Sequence, residues 1–333
     1  MISQDVEREL TIAERARPRT GWRRWAGFLL VGLALYGLLY AASERLVMQH
    51  GQRSRLFMIA TAPEHPYDFV VLGASHALPL DFGDMNQRLE KASGGRILNL
   101  GVEGGGIVPA RFLLDYFLAR HQTGAVVLVL DSFAYYSRQW NEDRINDPKL
   151  LHRAPFDPDL AVRLWRLPAT RPLLPGYLSG FYKINNADRT EPDISDTERT
   201  KFSRVYRTNA NLDRQRLAYL YPDKVDEAAL ERYLGELDAL LRELSARKIK
   251  LVVIKTPLPG RVLGALKGEE AFDARVRALF EPRGIAVHDF THEANEDKFF
   301  YDTDHLNKDG ASNFIDTLLG PLLKAERDGP AAS

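Results

Sequence analysis

Apolar positions fall along the chain in three patterns, and each predicts a different element. Short, β-branched runs at residues 69–72, 96–100, 125–130, 249–254 and 285–288 have the continuous hydrophobicity of strands buried on both faces. Between them, apolar residues recur at helical spacing over 84–92, 108–120, 226–247, 270–280 and 308–323. The helix at 226–247 is the clearest, with Leu230, Tyr233, Leu234, Leu237, Leu240, Leu241 and Leu244 on one face. Strands alternating with helices predict an α/β fold, a three-layer α/β/α sandwich around a doubly wound parallel sheet. The alternation breaks at about 138–225, where Arg, Asp, Pro and aromatic residues follow no period. That stretch reads as an insertion over the carboxyl edge of the sheet, where loops shape substrate sites.

The third pattern is the uncharged run at 25–42. At about 1.5 Å per residue it reaches across a hydrocarbon core of about 30 Å with little tilt. Arg15, Arg17, Arg19, Arg23 and Arg24 precede it, and Trp22, Trp25 and Tyr40 suit the two interfaces. The positive-inside rule then puts the amino terminus in the cytoplasm and everything after Ser43 in the periplasm or outside the cell, anchored in the inner (plasma) membrane by a single pass. A cleaved signal peptide and a buried core helix are the alternatives. The run is long for a signal core, and Tyr40-Ala-Ala-Ser43 is a weak cleavage site. The expected organisation is a cytoplasmic tail at 1–24, a membrane helix at 25–43, a juxtamembrane linker at 44–65, a catalytic domain at 66–325 and a disordered tail at 326–333.

Composition narrows the function by exclusion. The 333 residues include 45 basic and 45 acidic side chains, and a zero net charge argues against a general nucleic-acid binder. No cysteine is present, which rules out disulfides and thiolate metal sites. There is no P-loop, and Gly101-Val-Glu-Gly-Gly-Gly106 lacks the spacing of a dinucleotide site. His288 and Asp289, or His292 and Glu293, have no metal-binding helical spacing with Asp302 and Asp304. No cofactor and no metal are expected.

Candidate chemistry lies at two distant points. Ser75 follows the strand at 69–72 through Gly73 and Ala74, so its hydroxyl belongs at the carboxyl end of a strand, where open α/β sheets bind ligands. A serine there is nucleophilic only beside a base. His305, in Asp302-Thr-Asp-His305, offers that base, with Asp302 to orient its ring. The Ser75 amide and that of Gly104 are candidate oxyanion donors. Helix capping by Ser75, Asp302 or Asp304 and a plain turn at Gly104 are the structural alternatives. His76 is a possible substrate contact. Aromatic and arginine side chains of the insertion, such as Trp165, Arg166 and Tyr219, would suit a sugar-polymer groove or simply its surface.

The order serine after strand one, glycines after strand two and Asp-x-x-His before the last helix resembles the SGNH, or GDSL-like, hydrolase superfamily over about residues 66–325. Gly73-Ala-Ser75-His76 matches its nucleophile block, and Asn99-Leu-Gly-Val-Glu-Gly104 its second block, which brings Asn99 in as a possible contact. Asp302-Thr-Asp-His305 matches its last. The third block departs, since Leu130-Asp-Ser-Phe-Ala134 has no asparagine, and Ser132 is the possible substitute donor. With the membrane helix and the insertion, the chain resembles the anchored branch that serves exopolysaccharide O-acetylation and teichoic-acid D-alanylation. The resemblance implies acyl transfer to, or removal from, a polysaccharide or envelope glycan through an acyl-Ser75, with a membrane-bound O-acyltransferase as partner. A plain small-ester or lipid esterase, or a non-catalytic scaffold of a polysaccharide acylation complex, are the alternatives.

Overall fold

The computed structural model describes residues 21–329, so most of the predicted amino-terminal tail and residues 330–333 of the carboxyl-terminal one lie outside the described residues. Five strands form one parallel sheet: β1 (Tyr67–Leu72), β2 (Ile97–Asn99), β3 (Thr123–Val129), β4 (Lys250–Lys255) and β5 (Val287–Asp289), in the order β2-β1-β3-β4-β5. Register follows from Val70 opposite Leu98 on one side and Val126 on the other, and from Val127 opposite Val252. The chain runs outward from β1 to β2, then returns past β1 to β3. Strand order therefore reverses between β1 and β3, and a crevice opens there at the carboxyl ends.

Alternation along the strands feeds two cores, one on each face. Val70, Leu72, Val126 and Leu128 pack against the helices Ile107–Leu118, Glu227–Ala246 and Glu269–Phe280. Phe69, Val71, Val127 and Val129 pack against Met85–Ser93 and the closing helices. The 20-residue helix Glu227–Ala246 is capped by the Asp226 carboxylate, which accepts from the Ala228 and Ala229 amides. Its stripe from Leu230 to Leu244 is buried. Burying one such leucine stabilises by about 1.5–3 kcal/mol, whereas ordinary residues differ in helix propensity by about 0.7 kcal/mol or less. The stripe, not propensity, decides this helix.

Three boundaries differ from the sequence reading. The amino-terminal helix does not stop at Ser43 but runs unbroken from Gly21 to His50, so it takes up the start of the predicted linker, and a second helix, Arg55–Thr61, takes up a further part. At the carboxyl end, Lys308–Phe314 widens into a π turn at Ile315–Leu319 and continues as Gly320–Asp328, so residues 326–328 of the predicted tail are helical. The insertion is built of short helices, among them Pro158–Arg166, Leu174–Leu178, Phe181–Ile184 and Ala210–Leu220. Only part of it lies over the carboxyl edge. The part from 156 to 184 packs instead against the end of the amino-terminal helix, where Lys183 pairs with Glu44 and the Phe156 amide donates to the Glu44 carboxylate.

Among the described residues one helix, Gly21–His50, is long and apolar enough to cross a membrane. Its large apolar residues, including Trp25, Phe28, Leu33 and Leu38, face away from the rest of the chain.

Candidate active site

Gly73 is what lets the chain leave β1 at the crevice, because a Cβ there would lie 2.7 Å from the Val129 Cβ on β3. Ser75 follows as the first residue of a short 3-10 turn, Ser75–Leu80. The Asn99 side chain fixes that turn to the loop after β2. Its amide donates to the Ala77 carbonyl at 2.8 Å and its oxygen accepts from the Gly101 amide at 2.8 Å. With both ends occupied and the residue 1 % exposed, Asn99 is a brace and not a substrate contact, which corrects its reading from sequence.

The base arrives from the opposite end of the chain. A bridge between Phe300 and Leu306 closes a loop around Asp302 to His305, and the Asn307 amide ties it down through the Lys298 and Arg204 carbonyls. Within the loop, one Asp302 carboxylate oxygen accepts the backbone amides of Asp304 and His305 at 3.1 and 2.9 Å. The carboxylate also meets His305 Nδ1 at 2.9 and 3.0 Å. With Nδ1–H donating to Asp302, Nε2 is left as the acceptor, and the Ser75 hydroxyl donates to it at 2.8 Å. Tyr301 lies parallel to the imidazole, ring centres 5.5 Å apart, and limits its rotation. Ser75, His305 and half-buried Asp302 thus form a connected serine–histidine–carboxylate array. Ser75 is 8 % and His305 6 % exposed, so only a slender group reaches the pair.

A second set of charges surrounds this array. His76 is buried, with Nδ1 2.5 Å from the carboxylate of Asp131 at the end of β3 and Nε2 3.5 Å from that of Asp304. Its ring centre is 4.9 Å from that of His305. Asp304 in turn receives the Arg216 guanidinium from the insertion at 3.2 Å. Burial alone would lower the His76 pKa, but the charge and hydrogen bond of Asp131, with Asp304 behind, push it up to about 10. The ring is therefore an imidazolium at neutral pH. Burial likewise favours protonated Asp304, yet His305, His76 and Arg216 together hold its carboxyl well below the usual range. Asp302 is buried enough to rise, and His305 pulls it down.

His76 is thus a member of an ion network and not the exposed substrate contact its position beside Ser75 suggested. Ser132 is likewise corrected: its hydroxyl donates to Glu269, which also pairs with Lys255, so it does not replace the missing asparagine donor. Gly104 has a left-handed φ of 60° against the Trp140 ring, and no contact in the structure ties its amide to Ser75. Asp131, Asp304 and Arg216 were not assigned roles from sequence. Adjacent Ser75-His76 and the doubled acid in Asp302-Thr-Asp304 were the available signals. His76, Asp304 and His305 present donor atoms within 4.8 Å of one another, a spacing open to a metal ion. The cationic charge that Asp304 needs is already supplied by Arg216 and His76.

A cavity of about 850 Å³ adjoins the site on the same edge, between Arg53–Leu56, Leu78, Gly101–Glu103 and the insertion. Its walls alternate Arg55, Arg144, Lys149 and Arg153 with Asp81, Glu103, Asp188 and Asp193; Ser75 and His305 do not line it.

No protein-family model matches the chain, and no curated protein matches it. Two solved structures are similar in outline. A Bacteroides fragilis protein provisionally named an acylhydrolase is 13 % identical with a TM-score of 0.38, over 82 % of this chain and 96 % of its own. A Streptococcus pneumonia protein provisionally named a platelet activating factor is 10 % identical with a TM-score of 0.37, over 89 % and 99 %. Likenesses this remote say nothing of activity.

Proposed function

We propose that the protein is a membrane-anchored serine O-acyltransferase or esterase, of the kind the SGNH resemblance implies, that moves an acyl group, most simply acetyl, through an ester on Ser75. The observation that carries this reading is the 2.8 Å hydrogen bond from the Ser75 hydroxyl to His305 Nε2, with Asp302 on Nδ1. In the first half-reaction Ser75 Oγ attacks the acyl carbon while its proton passes to His305. Asp302 holds the tautomer and faces the imidazolium that forms. The tetrahedral adduct collapses, the leaving oxygen takes the proton from His305, and acyl-Ser75 remains. In the second half-reaction an incoming hydroxyl gives its proton to His305 and attacks the ester, which releases the acylated product and restores Ser75.

The Ser75 and Gly104 amides serve as oxyanion donors in this scheme, and the buried His76 adds positive charge where negative charge develops. The acceptor is a hydroxyl of an exported or cell-surface polysaccharide, and a membrane-bound O-acyltransferase delivers the acyl group. The Arg-rich stretch before the helix supports a cytoplasmic amino terminus and an external catalytic domain.

The test is incubation of the full-length protein with p-nitrophenyl acetate, with and without a sugar oligomer, followed by mass analysis of Ser75 and of the oligomer. An acetyl adduct on Ser75 that Ser75→Ala abolishes is expected. Acetyl on the oligomer assigns transfer, and release as acetate alone assigns hydrolysis. No adduct and no Ser75-dependent ester loss would leave a scaffold role in place of the enzymatic one.

A further inference from the structure

The amino-terminal helix does not leave its apolar stretch before meeting the folded domain. Tyr36, inside the uncharged run, donates its hydroxyl to the Ser179 carbonyl at 2.9 Å. One turn later the Tyr40 ring lies against Gly180 so closely that a Cβ there would sit 2.3 Å from it. The Lys183 ammonium stands 5.5 Å from that same ring and pairs with Glu44. Tyr36 precedes the end of the uncharged run by six residues, or about 9 Å of helix rise. Whatever bonds to Tyr36 is held at the depth of the last apolar turns.

The side chains flanking that contact are apolar and point outward. Leu178 is 48 % exposed and Phe181 55 %, on either side of Ser179 and Gly180. Phe156 is 49 % exposed and stacks on Tyr177 at 6.3 Å. In the neighbouring helix Trp165 is 62 % exposed, with the Arg171 guanidinium 5.5 Å from its ring centre. Exposed leucine and aromatic groups next to an aromatic–cation pair have the chemistry of an interfacial membrane contact.

We propose that Phe156, Leu178 and Phe181, with Trp165 and Arg171 at the margin, form a second membrane contact. This face rests in the headgroup and upper acyl layer of the same bilayer leaflet that the helix leaves, and it seats the catalytic domain flat on the membrane. The inference rests on the reading of Gly21–His50 as membrane-spanning, and the experiment separates the two.

The natural absence of cysteine permits single-cysteine labelling of the full-length protein. Leu178→Cys, Phe181→Cys and Phe156→Cys are labelled with a small fluorophore in nanodiscs of phosphatidylcholine and phosphatidylglycerol, with and without chain-brominated lipid. Leu30→Cys, in the helix, and Thr317→Cys, on the far closing helices, are the references. Quenching at 178 and 181 at least twofold above that at 317, together with strong quenching at 30, is the expected result. Quenching at 30 with 178 and 181 no different from 317 overturns this contact alone. No quenching at 30 overturns the membrane reading itself. Labels at 178 and 181 that are shielded by a second copy, seen as label-to-label transfer within one disc without lipid quenching, also overturn it. All five sites are surface positions, and agreement of their circular dichroism with that of the parent protein checks the fold.

Discussion

Replacement of Asp131 by Asn tests whether the ion network around the candidate nucleophile is built as described. The change keeps the shape of the side chain and removes the charge that faces His76 Nδ1 at 2.5 Å. Folding raises the His76 pKa from 6.5 to about 10, which corresponds to on the order of 5 kcal/mol of preference for the imidazolium. Asp304 remains 3.5 Å away on the other side, so the loss from Asp131→Asn falls toward the lower part of the roughly 3–5 kcal/mol seen when one partner of a buried pair is removed. Because the folded value is the higher one, this stabilisation is complete below pH 6.5 and fades as pH rises to about 10. Thermal unfolding of the full chain in detergent, followed by circular dichroism, reads the difference. At pH 6 the midpoint should drop by on the order of 10 °C. At pH 10, where the parent His76 is itself losing its proton, the gap between variant and parent should narrow. A drop of less than about 2 °C at pH 6, or equal drops at both pH values, refutes a charged His76 held by Asp131.

Four further outcomes follow from the same geometry. Asp302→Asn should leave the fold intact and slow ester turnover by about ten-thousand-fold, read as p-nitrophenol release, because the His305 tautomer facing Ser75 is lost. Ser75→Ala should remove turnover to background while the thermal midpoint stays within about 2 °C, since the hydroxyl makes one hydrogen bond worth about 1 kcal/mol. Arg216→Met removes a cation from buried Asp304. The folded Asp304 pKa is depressed, so its contribution exists above the ordinary value and is lost on acidification; the variant should unfold at higher pH than the parent in an acid titration followed by circular dichroism. Gly73→Ala puts a methyl carbon 2.7 Å from Val129 Cβ and should cost about 1–3 kcal/mol, visible as a lower unfolding midpoint.

The fold was legible because parallel strands buried on both faces write themselves as unbroken apolar runs, and all five strands lie within two residues of where those runs are. Ser75 and His305 were legible for a related reason: each follows or precedes a strong element by a short, distinctive loop. The network partners were not. Asp131, Asp304 and Arg216 are ordinary charged residues until folding brings three separate segments together, and no local spacing records that meeting. Asn99 and Ser132 show the converse. Their types suit an oxyanion donor, but what a polar side chain does is set by the groups it finds, here Ala77, Gly101 and Glu269. The insertion resisted reading because its helices are interrupted by prolines and loops, and several, such as Leu174–Leu178 and Phe181–Ile184, are too short to show an amphipathic stripe. They are fixed by caps such as Asp157, whose carboxylate also takes the Tyr116 hydroxyl at 2.5 Å and Arg120 at 2.6 Å.

The helix Gly21–His50 continues without a hinge from its apolar stretch into the folded body, where Ser43 and Val47 are buried. A flexible tether would let the catalytic pocket sweep a hemisphere of radius set by linker length. A stiff mast does not. With its apolar stretch in a bilayer, as proposed, it would confine Ser75 to a thin slab at constant height and nearly constant attitude above the lipid. A polymer acceptor of the proposed kind would then be modified only where it passes through that slab, and the pattern of its substitution would reflect the route by which the strand emerges.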